Sequence, residues 1–543
     1  MNDETRVEWR DWGPDAFDEA RRTGKPVLLS LSATWCAGCH EMDAETYAEP
    51  RIAANVNDGF VPVRVDVDRH PRVRERYNMG GFPSTVFATP DGEILTGAMY
   101  LGPEGMRQVL ESVRGVWNEK GADAGRVPRS LSGDPTPAGE VTPVIEEHIA
   151  GQLGEKYDSD YAGWGTDAKF PLPRTVEFAL KRERGQALRT LDAVRDNLLD
   201  PVAGGFFRYA GNRNWSDVHH EKRLDDNAAL VRAFANAYLY TGEGAYRRPA
   251  ERTVAYLADD LWTGVAFGGS QGPAAGREYY ALDEAGREGT TRPRTDLTAY
   301  AGANAVAAEA LLTYHAYTDD ERARRYARRT LEYLDSELVD GGVVTRYADG
   351  GDRGESRLLV DHARVAAAFV RAEQVLGEGL ATARAVADEA IESLHDDGSF
   401  LDGPAEGPGL LDRPLRPLDG NVEMADALVD LAAVTGDKSY RRVARESIAA
   451  FAGAWDRIGV HVAEYGSVAA RLCREPLVVA VATEPGSDLH RAALRVADHE
   501  KVVVPNADER FDLDPGAAYV LGDGEAVPAR TPDELVARVA ERA

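Results

Sequence analysis

The sequence predicts a multidomain chain: an α/β unit, then an all-α ring of helical hairpins, then a small α/β segment. Three observations carry this. Residues 1–120 alternate short apolar runs of strand length with polar helical stretches. Residues 141–473 repeat a helix pair followed by a Gly-containing loop, at a spacing of roughly 60 residues. From 474 to 543, "EPLVVAVAT", "EKVVVP" and "GAAYVLG" return to strand-like patterning, with helices near 488–498 and 532–541.

In the first unit, "PVLLSLSA" (26–33) is an apolar run after the turn "TGK". Cys36 follows at a strand-to-helix turn, ahead of the helical stretch "EMDAETYAEPRIAANVND". A second strand, "FVPVRVDVD" (60–68), leads through a charged helix to "GGFPSTVFATPDGEI", a hairpin with a "PDG" turn, and a closing helix near 103–118. The order βαβ, α, ββ, α matches a thioredoxin fold. Residues 121–140, rich in Gly, Pro, Ser and charge, read as a linker.

The position of the cysteines suggests chemistry. A cysteine at a helix N-terminus faces unpaired N–H groups and the positive end of the helix dipole, and both favour thiolate. Cys36 is expected there as nucleophile, with Cys39 one turn on as resolving thiol. Pro83 in "GGFPST" falls where thioredoxins carry a cis-proline opposite the pair, and is included in the catalytic set. Thioredoxins also place a buried carboxylate six residues before the first cysteine; here that residue is Ser30. The competing readings are a non-catalytic thioredoxin fold and a metal half-site. A zinc site needs about four ligands, and Cys473 and His40 do not supply a second knuckle, so no metal and no cofactor are expected.

The repeat is seen in "TGEGAYRRPAERTVAYLADDL", "TDDERARRYARRTLEYLDSEL", "LGEGLATARAVADEAIESL" and "TGDKSYRRVARESIAAF". Apolar-periodic helices precede each, such as "DDNAALVRAFANAYLY" and "DHARVAAAFVRAEQVL", and an insertion lies around 263–290. Hairpins that bury their faces only against neighbours stack into a solenoid or close on themselves. Six of them closing into an (α/α)6 toroid fits best, with the loops gathered at one end around a central pocket.

With these motifs the chain resembles the spermatogenesis-associated thioredoxin-like proteins of the YyaL type. The matching blocks are "VEWRDWGPDAFDEARRTGKPVLLSLSATWCAGCHEM", "AGWGTDAKFPLP" and "GGFFRYAGNRNWSDVHHEKRLDDNAAL", followed by "LLVDHARV" and "DGNVEMADAL". Ala37 and Gly38 stand where the family has Trp and His, and "VAFGGSQGPAAG" lacks the family's acidic segment. The resemblance implies an α/β thioredoxin-like domain fused to a toroid like that of sugar epimerases and six-hairpin glycosidases.

The implied function is a thiol–disulfide oxidoreductase acting through Cys36 and Cys39 on a disulfide-bearing protein, its toroid binding a carbohydrate-like ligand or docking a partner. The alternative is a sugar-binding or sugar-isomerising toroid with an accessory thioredoxin fold. Carbohydrate pockets combine aromatic platforms with carboxylates. The candidate ligand residues are Lys169, Trp215, His219, Glu221, Asp226, Asn227, Asp361, His362 and Asn421. Capping and surface pairing are the competing roles for the charged ones.

Composition narrows the setting. Asp+Glu is 91 against Lys+Arg 63, a formal net charge of −28. Phosphate backbones need a basic face, so no nucleic-acid partner is expected. There is no long apolar run to span a membrane and no apolar leader, so a cytoplasmic location is expected. Short carboxylates, with Arg in place of Lys, suit molar salt, where a Debye length of about 3 Å removes self-repulsion. A halophilic source is the expectation. Thermal unfolding from dilute buffer to molar KCl should accordingly show a large rise in midpoint, and a flat response would remove that inference.

Overall fold

A computed structural model describes residues 5–522 and 526–542. The first unit is a five-stranded sheet in the order β1 (Arg10–Asp11), β3 (Val61–Asp66), β2 (Val27–Ser32), β4 (Ser84–Ala88), β5 (Ile94–Ala98). β2 runs parallel to β3 and antiparallel to β4, as the βαβ-then-hairpin pattern requires. Helices α1 (Pro14–Thr23), α2 (Ala37–Met42), α3 (Pro50–Gly59), α4 (Pro71–Tyr77) and α5 (Pro103–Lys120) cover the sheet. β2 is buried at every position, which explains its unbroken apolar reading apart from two serines.

The toroid alternates outer and inner helices. Among the described residues the inner ring is α7 (Pro173–Arg182), α9 (Leu224–Thr241), α13 (Ala301–Thr318), α15 (Leu359–Leu376), α17 (Leu418–Thr435) and α19 (Glu464–Cys473), each touching the next and α19 returning to α7. Outside them lie α6 (Val144–Lys156), α8 (Arg184–Leu198), α10 (Gly244–Tyr256), α14 (Glu321–Tyr333), α16 (Leu380–Leu394) and α18 (Lys438–Ala449). Two short helices, α11 (Arg277–Tyr280) and α12 (Glu284–Glu288), belong to the insertion. Inner helices are buried nearly all round, so they read as apolar without a strong polar face, whereas α14 is amphipathic.

The C-terminal segment closes one end of the ring. Its strands Val478–Val481, Val502–Pro505 and Ala518–Leu521 form a small sheet with α20 (Asp488–Leu494), α21 (Ala507–Phe511) and α22 (Pro532–Arg542). The strand Val502–Pro505 packs on α15 and α17. The Val503 N–H donates to Gln374 Oε1 at 3.1 Å.

The lumen is filled by charge. Arg232 forks onto Glu177 at 2.8 and 3.0 Å and reaches Glu309 at 2.7 Å. Arg364 holds Glu423 at 2.8 and 3.0 Å, Arg174 meets Glu464 at 3.1 Å, and Arg471 holds Asp426 and Asp430. The space left among these side chains is about 90 Å³. Ligand pockets are typically about 300–1,000 Å³, so the open central pocket expected of the ring is occupied by its own ion pairs.

The thioredoxin-like domain sits on the opposite end through α4. The buried Arg76 guanidinium donates to Asp402 at 2.7 and 3.2 Å and to the carbonyls of Leu410 and Arg413 at 2.9 and 2.8 Å. Arg72, one turn earlier, donates to Glu355 at 2.5 Å and to the carbonyls of Pro404 and Leu411 at 2.6 and 2.8 Å. Beside them the two backbones touch. A Cβ on Gly92, in the β4–β5 turn at φ +85°, would lie 2.4 Å from Gly409 Cα, so only glycine fits.

Two expectations follow from this packing. Asp402→Asn leaves Arg76 buried without its anion and should cost about 3–5 kcal/mol, read as a lowered denaturant midpoint. In the lumen, burial, reinforced by Asp426 and Glu423 and opposed by Arg174, pushes Glu464 up to about 8. The folded protein then holds a proton that the unfolded chain releases above its ordinary value of 4.5. That stability is fully present at low pH and lost as pH rises through about 8. Glu464→Gln should flatten the fall of thermal midpoint over this interval.

Candidate functional site

The site begins at the end of β2. Cys36 is the N-cap of α2, in extended conformation, and its Sγ accepts the Cys39 N–H at 3.1 Å. Cys36 and Cys39 form a disulfide. Both are buried, at 4% and 3% exposure. The Phe82–Pro83 peptide is cis, and a Cβ on Gly38 would meet Pro83 Cδ at 3.1 Å, so the proline lies against the cysteine turn. On this side the surface is open and apolar: Met99 is 52% exposed and Tyr100 39%, and Ala37 is exposed.

The other side lies under the toroid. Trp35, next to Cys36, is buried, donates from Nε1 to Asp68 Oδ2 at 2.7 Å, and meets Phe82 edge-on at 5.7 Å. Arg208 stacks over the Trp35 ring at 4.5 Å and Arg223 lies at 5.7 Å. Arg346 Nε donates to the Asp68 carbonyl at 2.7 Å. Asp68 therefore joins the end of β3 to the cysteine loop and to the toroid loop that carries Arg346.

Between the domains runs a cleft of about 1000 Å³, whose lining includes Thr34, His40, Arg64, Asp66, Tyr347 and Asp296. The Asp66 carboxylate accepts the N–H groups of Asp68 and Arg69 at 2.9 and 3.2 Å. Burial, with Asp68 and Asp296 adding like charge, pushes it up to about 7. His70 is driven down to about 4, mainly by burial and then by Arg346 and Arg69.

The residues singled out in the toroid fall into several environments. Lys169 is buried and donates to Asp158 at 2.9 Å and to the Gly165 carbonyl at 2.8 Å, while Arg213 holds the same Asp158. Trp215 is buried and donates to the Tyr161 carbonyl at 2.7 Å. Lys222, beside Glu221, repeats the pattern against Asp200 at 2.8 Å, with Arg287 as the second cation. Such pairs tie Gly-rich loops to the ring.

Asn227 and Asn421 share a second arrangement. Asn227 accepts from the Phe206 N–H at 2.6 Å and returns a bond to the Phe206 carbonyl at 3.1 Å. Asn421 does the same to Phe400 at 2.7 and 2.9 Å, and Asn304 to Phe267 at 2.8 and 2.9 Å. His362 holds the corresponding place in α15, its Nε2 accepting from Val344 N–H at 3.3 Å. Each is the fourth residue of its inner helix and clips the preceding loop. Asp361 accepts from Arg346 at 2.9 Å and from the Gly302 N–H at 3.0 Å.

His219, Glu221 and Asp226 lie nearer the cysteine loop. His219 stacks on Tyr209 at 4.0 Å, which stacks on the partly exposed Phe170 at 4.5 Å. Glu221 accepts from Arg208 at 3.3 Å, and Asp226 lies 3.8 Å from Arg223. The block "HHEKRLDDN" thus supplies Arg223, one of the two arginines over Trp35, together with an anion for each of them. Sequence reasoning missed Asp66, Asp68, Arg208, Arg223 and Arg346. The run "VDVD" ending a strand beside a redox loop was the available signal for the two aspartates.

The family model Thioredox_DsbH, described as a protein of unknown function, DUF255, matches residues 1–132. Spermatogenesis-associated protein 20 of Homo sapiens is 30% identical over 294 residues, covering 47% of this chain and 37% of that protein. An uncharacterized Caenorhabditis elegans protein, B0495.5, is 28% identical over 271 residues, covering 43% and 37%. The chain thus spans little more than a third of the length of these relatives. The thiol:disulfide interchange protein DsbD 1 of Pseudomonas aeruginosa is 34% identical over 82 residues, covering 14% of each. Among solved structures, a sugar epimerase from a ruminal bacterium superposes with TM-score 0.46 at 11% identity, covering 56% of this chain and 84% of that one. A family 76 mannosidase of Bacteroides thetaiotaomicron gives 0.43 at 13% identity, covering 61% and 98%. The chain is similar to spermatogenesis-associated protein 20 over about half of its own length, and its first 132 residues match the DUF255 model.

Proposed function

We propose that the chain is a thiol–disulfide oxidoreductase acting through Cys36 and Cys39, with the toroid as a scaffold that covers one side of the redox turn. The observation that carries this reading is Cys36 as N-cap of α2, its sulfur against a backbone N–H. That setting stabilises thiolate. In the reduced protein the Cys36 thiolate attacks a substrate disulfide, and the first substrate sulfur leaves as thiolate and takes a proton. Cys39 then attacks Cys36 Sγ, the second substrate thiol departs, and the Cys36–Cys39 disulfide forms. The substrate gains two electrons and the protein dithiol loses them; an external dithiol reductant returns the protein to its starting state.

The exposed Met99 and Tyr100 beside Pro83 support a disulfide-bearing polypeptide as substrate, because they offer apolar area on the uncovered side. The lumen's ion pairs and small free volume support a scaffolding toroid over one that turns over a sugar. The acidic composition supports a salt-rich cytoplasm as the setting.

Cys473 provides an internal control, since burial pushes its thiol up. After reduction, alkylation from about pH 5 to 9 with peptide mapping should label Cys36 well before Cys473 at the acid end. Cys39→Ser should accumulate mixed disulfide on Cys36. Equal labelling of Cys36 and Cys473 across the range would sink the assignment.

A further inference from the structure

The oxidoreductase reading leaves one step without a chemical partner. Cys39 must lose its thiol proton before it can attack the mixed disulfide, yet it is only 3% exposed. Burial in apolar surroundings disfavours the thiolate, and at this exposure little solvent is at hand to take the proton. Some group beneath α2 has to accept it.

The strand residues there do not serve. Ser30 on β2 is paired in register with Arg64 on one side and Thr85 on the other. Both hydroxyl residues are buried, and a hydroxyl is not a base at neutral pH. The carboxylate comes from the helix side instead. Asp43 follows α2 directly, and its backbone N–H donates to the Cys39 carbonyl. That bond marks an i, i+4 relation, which puts the two side chains on one helix face with Cβ atoms about 5–6 Å apart. Asp43 is 4% exposed and is gripped by both terminal nitrogens of Arg64, one at 2.9 Å from Oδ2. Arg64, itself 7% exposed, also lines the interdomain cleft with Thr34, His40 and Asp66. The buried carboxylate thus connects, through its guanidinium, to the interdomain cleft beside the cysteine turn. The other ionisable groups near this face are Tyr47 on the next turn, His40 on α2 and Asp66 along β3.

Resting on the oxidoreductase reading, we infer that Asp43, held by Arg64, is the positioning and proton-accepting residue for Cys39 when the mixed disulfide is resolved. The Cys39 S–H bond breaks and its proton passes to an Asp43 oxygen. The freed electron pair on sulfur forms the Cys39–Cys36 bond. The Cys36–substrate bond breaks, with its pair leaving on the substrate sulfur. The proton then leaves Asp43 by way of the cleft or follows the departing thiolate.

The test uses the full chain and separates acidity from rate. In a Cys36→Ser background, alkylation of Cys39 against pH reports its ionisation. In the Cys36-containing protein, single-turnover decay of a mixed disulfide with an aromatic thiol reports resolution. Asp43→Asn removes the anion and leaves Arg64, so Cys39 should ionise at lower pH than in the parent. Resolution near neutral pH should nonetheless slow, on the order of 10²-fold, and recover as the medium becomes alkaline. Asp43→Glu should restore most of the rate. Asp43→Asn/Arg64→Gln, which leaves no unpaired buried charge, guards against misfolding and should show the slow resolution alone. A resolution profile in either Asn variant that overlays the parent's would overturn this role while leaving the oxidoreductase reading intact. A parent protein that forms no mixed disulfide at Cys36 would overturn both.

Discussion

The relation between the two halves of the molecule depends on a pair of arginines one turn apart on a seven-residue helix. Arg72 and Arg76 leave the thioredoxin-like domain and end among the carbonyls and carboxylates of toroid loops. Guanidinium suits this task because its donors fan out in one plane and can satisfy a carboxylate and several carbonyls at once. A buried charge without such partners would be costly, so the contact holds one orientation. Everything described beside the redox turn follows from that orientation: Trp35 meets Arg208 and Arg223, and Asp68 meets Arg346.

The toroid uses charge differently at its centre. Inner helices bring Arg174, Arg232, Arg364 and Arg471 toward the axis, and each finds acids on neighbouring helices. These bonds link each inner helix to its neighbours around the lumen. The result is a ring with little free space at its axis, whose loop-bearing end lies under the thioredoxin-like domain.

Much of this was legible in the sequence where short-range pattern governs. The strand order of the first domain, Cys36 at a helix start and the repeating hairpins all follow from periodicity and turn chemistry within a few tens of residues. The environments of Lys169 and Trp215 were not legible. A lysine among aromatic residues reads equally as ligand or as anchor, and its buried bonds to Asp158 and Gly165 carry no local signal. Arg76 could not be matched to Asp402, because 326 residues separate them and nothing local distinguishes that arginine from others on a charged helix. Asn227, Asn421 and His362 read from the sequence as candidate ligand residues, but the partners they have in the fold are backbone groups, which carry no sequence signature.

Those clips have a consequence for assembly. Each joins residues close in sequence, 21 apart for Asn227 and for Asn421, 37 for Asn304 and 18 for His362. Closing such short loops costs little chain entropy. Ring closure, by contrast, needs α19 to find α6 and α7, with contacts such as Thr175 to Val460 spanning 285 residues. During synthesis the rim of the toroid can therefore be ordered repeat by repeat as each emerges, while the ring itself stays an open arc until its last inner helix arrives.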